Sequence, residues 1–279
     1  MADDEVVLIT GGLGGLGMAL ARAWLDAGAA VALAGLAAAD PSSSVSAAVG
    51  HLPEQVRTRV RGYGVDVADE AALGNLVDQV ERDLGPLTTV VANAGVPGGG
   101  GLETSDEVWQ ECWQVNVMAH VYLARAVVPR MVGRGGGCFV SVASAAGLLT
   151  NLGNAPYSVT KHAAVAFAEW LAITYGDQGL DVRLVAPMGV DTPMLRAGRG
   201  TLAGESVAAL GVIEADEAAR RILAGLAGRQ FLILTHAEVA EYEQQRAADR
   251  DRWLGGMRRS RAVLERALGI RESLDPQTD

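Results

Sequence analysis

The stretch TGGLGGLG, Thr10 to Gly17, follows directly on the apolar run VVLIT and opens into a helical pattern. It constrains the fold more than any other feature of the chain. A strand that turns through glycines into a helix must bury both elements against neighbours of the same kind. The turn also brings bare backbone N–H groups to a helix start, where an anion meets unpaired donors and the positive end of the helix dipole. Side chains there would hold a pyrophosphate away from the backbone. The chain has 35 glycines, enough for chance clusters. The position after the first strand gives this cluster its meaning.

Beyond the turn, short apolar runs alternate with helix-length periodic segments. The runs at 6–10, 30–36, 60–66, 88–93, 137–144, 181–187 and 229–234 are near-continuous and rich in Val, Leu and Ala. Strands buried on both faces of a parallel sheet read this way. Helical patterns cover about 15–27, 68–84, 104–132, 155–177 and 214–227, and a long last helix is expected near 236–267. The alternation predicts an α/β fold, a doubly wound seven-stranded parallel sheet, as a single domain with a C-terminal helical extension. No linker divides the chain. The small, polar segment 195–212 is expected to be a mobile substrate loop, and the tail 272–279 to be frayed.

The bulk numbers exclude several partners. A net charge of -10 leaves no basic face for nucleic acid or an anionic membrane. No uncharged apolar run approaches the ~20 residues of a membrane helix. The acidic N-terminus lacks the pattern of a signal peptide, so a cytoplasmic location is expected. Cys112 and Cys138 sit in apolar runs and read as reduced core residues, and no Cys/His cluster has metal-ligand spacing.

YSVTK, residues 157–161, holds the only lysine of the chain, every other member of its 23 Lys plus Arg being arginine. Residues i and i+4 share a helix face. A free tyrosine titrates near ~10, too high for a general base at neutral pH. A compact ammonium beside it would lower that value, and a planar guanidinium would replace it poorly. Ser144 closes the fifth run, at the end of a strand where open α/β sheets place their ligands. Ser141 is a rival whose register turns it away. His162 follows Lys161 but points about 100° away on a helix and reads as structural.

These motifs together resemble the short-chain dehydrogenase/reductase family over about residues 5–194. Thr10-Gly11 and Gly15-x-Gly17 match its TGxxxGxG turn. Asp66-Val67 stand where it contacts adenine, and Asn93-Ala94-Gly95 match its NAG motif. Asn116, Ser144, Tyr157 and Lys161 match its catalytic set. The resemblance implies a Rossmann-like sheet and hydride transfer with a nicotinamide cofactor. It implies that Thr10, Gly11, Leu13, Gly14, Gly15, Leu16, Gly17, Asp66, Val67, Asn93, Ala94 and Gly95 line the cofactor. Pro187, Gly189, Val190 and Thr192, beyond the sixth strand, would hold the nicotinamide end. Tyr157 would exchange the hydroxyl proton, Ser144 would steady the substrate oxygen, and Lys161 would tune Tyr157 and bind ribose. Asn116 would shape its helix so that water links Lys161 to solvent.

The chain departs from that pattern in three places. Gly35 stands where NAD enzymes of the family carry an acid, and Leu36 where NADP enzymes carry arginine. Gly14 fills the basic slot of the turn. With no cation for a 2′-phosphate the expectation is NAD, with NADP as the alternative that Gly35 leaves room for and Asp40 as a distant substitute acid. Met188 splits the family's Pro-Gly pair, and Arg183 replaces a strand asparagine. The C-terminus ends in a charged helix where many family members have a strand that packs a tetramer, so a homodimer through 104–132 and 155–177 is expected, with a homotetramer as the alternative. That helix would cover the pocket or a partner, or lie on the surface.

The pocket walls, Ala145, Ala146, Leu148, Leu149, Leu152, Met188 and Met194, are apolar. They predict a lipophilic secondary alcohol or its ketone as the small-molecule partner. The rival readings are net non-redox chemistry on a fixed nicotinamide (an epimerase, dehydratase or cyclase) and a non-catalytic binding protein. No metal is expected.

Overall fold

A computed structural model describes residues 5–36 and 54–270. In chain order the elements are β1 (Val6–Thr10), α1 (Gly15–Asp26), β2 (Ala30–Gly35), α2 (Glu54–Arg57), β3 (Val60–Gly64), α3 (Glu70–Leu84) and β4 (Thr89–Ala92). Then come α4 (Asp106–Trp113), a π-turn (Gln114–Met118), α5 (Ala119–Gly133), β5 (Gly137–Val142), α6 (Ala146–Leu149) and α7 (Ala155–Tyr175). The last part holds β6 (Leu180–Ala186), β7 (Val190–Asp191), α8 (Pro193–Ala197), α9 (Leu202–Ala208) and β8 (Ile213–Glu214). It closes with α10 (Ala215–Ala227), β9 (Leu232–Leu234), α11 (Glu238–Ala248) and α12 (Arg250–Ala267).

Among the described residues the main sheet has seven strands in the order β3-β2-β1-β4-β5-β6-β9, all pairs parallel. β7 and β8 form a separate two-stranded pair. Two cores flank the sheet. Side chains from alternate strand positions meet α1 and α10 on one face, where Trp24, Leu20 and Ile222 are buried. On the other they meet α3, α5 and α7, where Val77, Leu123 and Ala168 are buried. The strand order reverses between β1 and β4, which opens a crevice at their carboxyl ends, where open α/β sheets hold ligands.

Two expectations change. The last helix is broken into α11 and α12 at Asp249, which leaves the helical region (φ −148°) and caps α12 by accepting from Arg252 N. The expected mobile loop 195–212 holds the end of α8 and all of α9. Thr192 and Thr201 cap them, accepting from Leu195 N and Gly204 N, and Pro193 fixes the first helical turn of α8. Of the C-terminal pair, α11 packs on α6 and α12 on α9. Trp253 of α12 lies against Tyr242 of α11, ring centroids 6.3 Å apart. Asp40 and the tail 272–279 lie outside the described residues.

Candidate active site

The glycine turn is held by β4. The Thr10 hydroxyl donates to Val91 O at 3.3 Å and accepts from the amides of Asn93 and Ala94 at 3.0 and 3.2 Å. The Asn93 amide group donates to Thr10 O at 3.0 Å and Gly11 O at 3.2 Å. Asn93 is thus a brace for the turn. Two glycines are required by geometry. Gly11 has φ +62° and would place a Cβ 2.8 Å from Ala94 Cα, and a Cβ on Gly17 would stand 2.3 Å from Gly11 O. Gly14 caps α1 with no side chain over the helix start. That bare, positive end is a cradle that side chains would fill, and it fits a dinucleotide pyrophosphate. Thr192 closes the far side, its Cγ2 within 3.0 Å of a Cβ built on Gly15.

The remaining cofactor candidates line the same edge. Asp66 lies exposed just past β3, its carboxylate accepting from Ala68 N at 2.9 Å, with Val67 buried beside it. Gly35 and Leu36 end β2, and Leu36 is 74% exposed. Gly189 abuts Gly211, whose carbonyl oxygen would be 2.1 Å from an added Cβ, and Val190 is buried in β7. No cation other than Lys161 is found among these positions.

Tyr157 and Lys161 share one face of α7, the Nζ 5.6 Å from the ring centroid. Asn154 starts the helix by accepting from Tyr157 N at 3.3 Å and anchors it by donating to Pro97 O at 2.7 Å. Lys161 is 3% exposed and donates to Val142 O at 3.1 Å. A Cβ on Gly95 would stand 3.2 Å from Asn116 Oδ1 and 3.5 Å from Lys161 Nζ. The motif glycine therefore makes room for both. Asn116 lies buried in the π-turn, accepts from Val96 N at 2.9 Å and donates to Val96 O and Thr160 Oγ1, both at 3.1 Å.

Ser144 ends the β5 segment and faces Tyr157. Its hydroxyl accepts from Ala146 N at 3.1 Å and donates to Pro187 O at 3.4 Å. Burial pushes the Tyr157 phenol up from its ordinary value, a hydrogen bond with Ser144 pulls it down, and Cys112 pushes it up again. Lys161, expected to lower this value, is not among these influences. The ammonium is turned to Val142 O, and burial pushes its own pKa down to about 8.

Ser141, the rival serine, is turned away from the crevice and meets His120 Nδ1 at 3.0 Å. His162 is structural, with Nδ1 donating to Ser158 O at 2.8 Å and Nε2 accepting from Arg246 at 3.4 Å. Both cysteines are free. Ala145, Ala146, Leu148 and Leu149 are buried, while Leu152 and Met188 are half-buried and Met194 is exposed. α9 docks on this wall through Ser206, which donates to Asn151 Oδ1 at 2.7 Å. Asn151 and Ser206 join the site only through the fold, as do Thr235 and His236 beyond β9. Asn154, at the capping position before Pro156, did carry a local signal. Among the described residues no group of His, Cys, Asp and Glu could hold a metal. No described helix is long and apolar enough to cross a membrane.

A glycine-braced helix start at the switch point, with Ser, Tyr and Lys converging at the same sheet edge, defines a nucleotide-binding α/β oxidoreductase site. The chain belongs to the short chain dehydrogenase family, whose model matches residues 5–202. It is 43% identical over 139 residues to an uncharacterized NAD-dependent oxidoreductase of Mycobacterium tuberculosis, a match spanning 49% of this chain and 50% of that protein. It is 32% identical over 238 residues to 1-deoxy-11-beta-hydroxypentalenate dehydrogenase of Streptomyces avermitilis, covering 84% of this chain and 85% of that one. Among solved structures it is similar to a short chain dehydrogenase/reductase from Burkholderia phymatum in complex with NAD. That likeness has a TM-score of 0.77 at 28% identity, over 90% of this chain and 96% of that one.

Proposed function

We propose that this protein interconverts a lipophilic secondary alcohol and its ketone with NAD, Tyr157 exchanging the hydroxyl proton. The observation that carries the reading is the buried Lys161 ammonium 5.6 Å from the Tyr157 ring on one helix face, with the Ser144 hydroxyl at the adjoining sheet edge, on Pro187 O. The glycine turn, Asn93, Thr192 and Lys161 would hold the cofactor, which when bound takes up or delivers a hydride at its nicotinamide ring. In oxidation the Tyr157 phenolate takes the alcohol proton, and in reduction the phenol returns it to the carbonyl oxygen. Ser144 donates to that oxygen as its charge develops. Lys161 keeps the phenolate's site positive, and Asn116 holds the π-turn on which Gly95 and Lys161 pack.

The apolar walls support a lipophilic substrate, since nothing charged among them would clamp a phosphate or carboxylate. Relatives are named for a hydroxypentalenate and for meso-2,3-butanediol, both alcohols. NAD is favoured over NADP because no cation stands at Gly14, Gly35 or Leu36. Trp113 on α4 and Val159, Trp170 and Ile173 on α7 are exposed, which supports a homodimer through these helices. The test is titration of the purified protein with NADH and NADPH, then turnover of a panel of lipophilic secondary alcohols by wild type and Tyr157→Phe. NADH binding with tyrosine-dependent oxidation is expected. Turnover that survives loss of the phenol, or a preference for sugars or carrier-bound acyl groups, sinks the proposal.

A further inference from the structure

The peptide unit joining Pro187 to Met188 is gripped at both ends by hydroxyl groups. Its carbonyl oxygen accepts from Ser144 Oγ at 3.4 Å and from Ala145 N at 2.7 Å. Its N–H donates to Thr235 Oγ1 at 3.3 Å. Thr235 Oγ1 in turn lies 2.9 Å from His236 Nδ1. Thr235 and His236 are 1% and 6% exposed, at the carboxyl end of the last strand of the sheet. Thr235 Oγ1 accepts the Met188 N–H and keeps one proton and one lone pair for His236 Nδ1, so the direction of that second bond follows the imidazole tautomer, and His236 Nε2 is buried with no partner among the described residues. Arg221 of α10 donates to Thr235 O and so holds the segment from below.

We infer that Thr235 and His236 are positioning residues for Ser144, acting through the Pro187–Met188 peptide. The inference rests on the proposed dehydrogenase reading for its kinetic consequence. The N–H of this peptide belongs to Met188, the residue that stands between Pro187 and Gly189 where the family pairs proline with glycine, and Thr235 accepts it. Left without Thr235, that N–H would lose its protein partner, and the peptide plane could turn to seek another. Its carbonyl would turn with it. Ser144 Oγ is placed by the incoming N–H of Ala146 and by that carbonyl, on which its one proton rests until the Tyr157 phenolate or the substrate oxygen takes it; with the carbonyl turned, the oxygen loses that place. His236 keeps the Thr235 hydroxyl oriented with a lone pair toward Met188. The groups around the phenol are Lys161 on its own helix, Ser144, and Cys112 of α4. Those facing His236 are Thr235, Arg221 of α10 and Glu238 of α11.

Thr235→Val keeps the shape and removes the hydroxyl. It is expected to lower kcat for alcohol oxidation about fivefold, the equivalent of one ordinary hydrogen bond of about 1 kcal/mol, with little change in KM. The pH–rate profile should move to higher pH, because Tyr157 loses the donor that favours its phenolate. Thr235→Ser should restore both. His236→Leu, which leaves the Thr235–Met188 bond, should shift the profile the same way by less, and it serves in place of the valine variant if that one does not fold. Wild-type kcat and profile in a folded variant would overturn the inference. If the wild type oxidises no alcohol on the panel, the dehydrogenase reading fails by itself. Tyr157 ionisation is then read directly, by ultraviolet difference titration of each protein against its Tyr157→Phe counterpart. An alkaline shift in Thr235→Val supports the positioning role, and no shift overturns it.

Discussion

Lys161 reaches past the Tyr157 ring, its Nζ 5.6 Å from the ring centroid, to donate to Val142 O at 3.1 Å. Its stem runs through a buried slot beside Gly95 and Asn116. A guanidinium is wider, planar and keeps its charge, so it cannot take this place without opening the slot. Lys161→Arg is therefore expected to lose kcat/KM by roughly a hundredfold or more, the scale of a disabled acid–base group. Steady-state oxidation with NAD measures this. A variant within a few-fold of wild type would show that charge alone, and not the slot, is required.

The pH dependence follows from the Tyr157 surroundings. Burial raises the phenol's pKa, so the phenolate fraction grows as pH rises. Oxidation needs the phenolate and should accelerate with pH, while reduction needs the phenol and should hold until alkaline pH. Ser144→Ala removes the hydrogen bond that lowers this pKa. The rising limb of the oxidation profile should move to higher pH in that variant, over a scan of about pH 6 to 10. An unmoved limb would mean that another group sets it.

Cofactor choice can be rewritten at the end of β2. A Cβ on Gly35 would meet only the Leu13 side chain, at 3.6 to 3.9 Å, which is ordinary contact. Gly35→Asp should fold normally and weaken NADPH about tenfold or more relative to NADH, since a carboxylate repels a 2′-phosphate. Leu36→Arg, at a 74% exposed position, should raise NADPH affinity with a stability change within about 0.5 kcal/mol. Paired fluorescence titrations with the two reduced cofactors decide both. Equal affinities in all three proteins would put the ribose elsewhere.

The glycine turn separates folding from binding. A Cβ on Gly17 would stand 2.3 Å from Gly11 O, whereas one on Gly14 meets only Gly11 O, at 3.4 Å. Gly17→Ala should cost about 2 kcal/mol or more. Gly14→Ala should melt close to wild type yet bind NADH less tightly, because its methyl lies at the open helix start. Thermal melts with and without NADH distinguish the two. Equal melts for the alanine proteins would remove the distinction.

What was legible in the sequence was what local pattern encodes. The strands are continuous runs of Val, Leu and Ala because both faces are buried, and Tyr157 and Lys161 meet because four residues is one helical turn. The break at Asp249 and the helices begun at Thr192 and Thr201 follow from capping side chains within a polar, arginine- and glycine-rich stretch, where apolar period is weak. The π-turn around Asn116 leaves no mark on that period. The Thr235–Met188, Asn151–Ser206 and His120–Ser141 bonds join distant residues. Only the packing of whole elements brings those together.

His120 offers a test of the core beneath the site. It is 1% exposed, with Nδ1 on Ser141 Oγ at 3.0 Å and a buried Nε2 that has no partner among the described residues. Burial, and then the charge of Lys161, lower its pKa from 6.5 to about 3. The unfolded chain takes up this proton near pH 6.5, and the folded protein resists it until about pH 3. Between those values the unfolded state binds more protons, so stability falls as pH falls, by about 1.4 kcal/mol per pH unit from this one group. Carboxylates add their own acid loss, so the comparison must be internal. His120→Gln keeps a polar group facing Ser141 and cannot titrate. Urea denaturation at several pH values across that window should show a shallower decline for the variant than for wild type, even if it starts from a lower stability. Parallel declines would mean that His120 is protonated in the fold, with its Nε2 facing an acceptor.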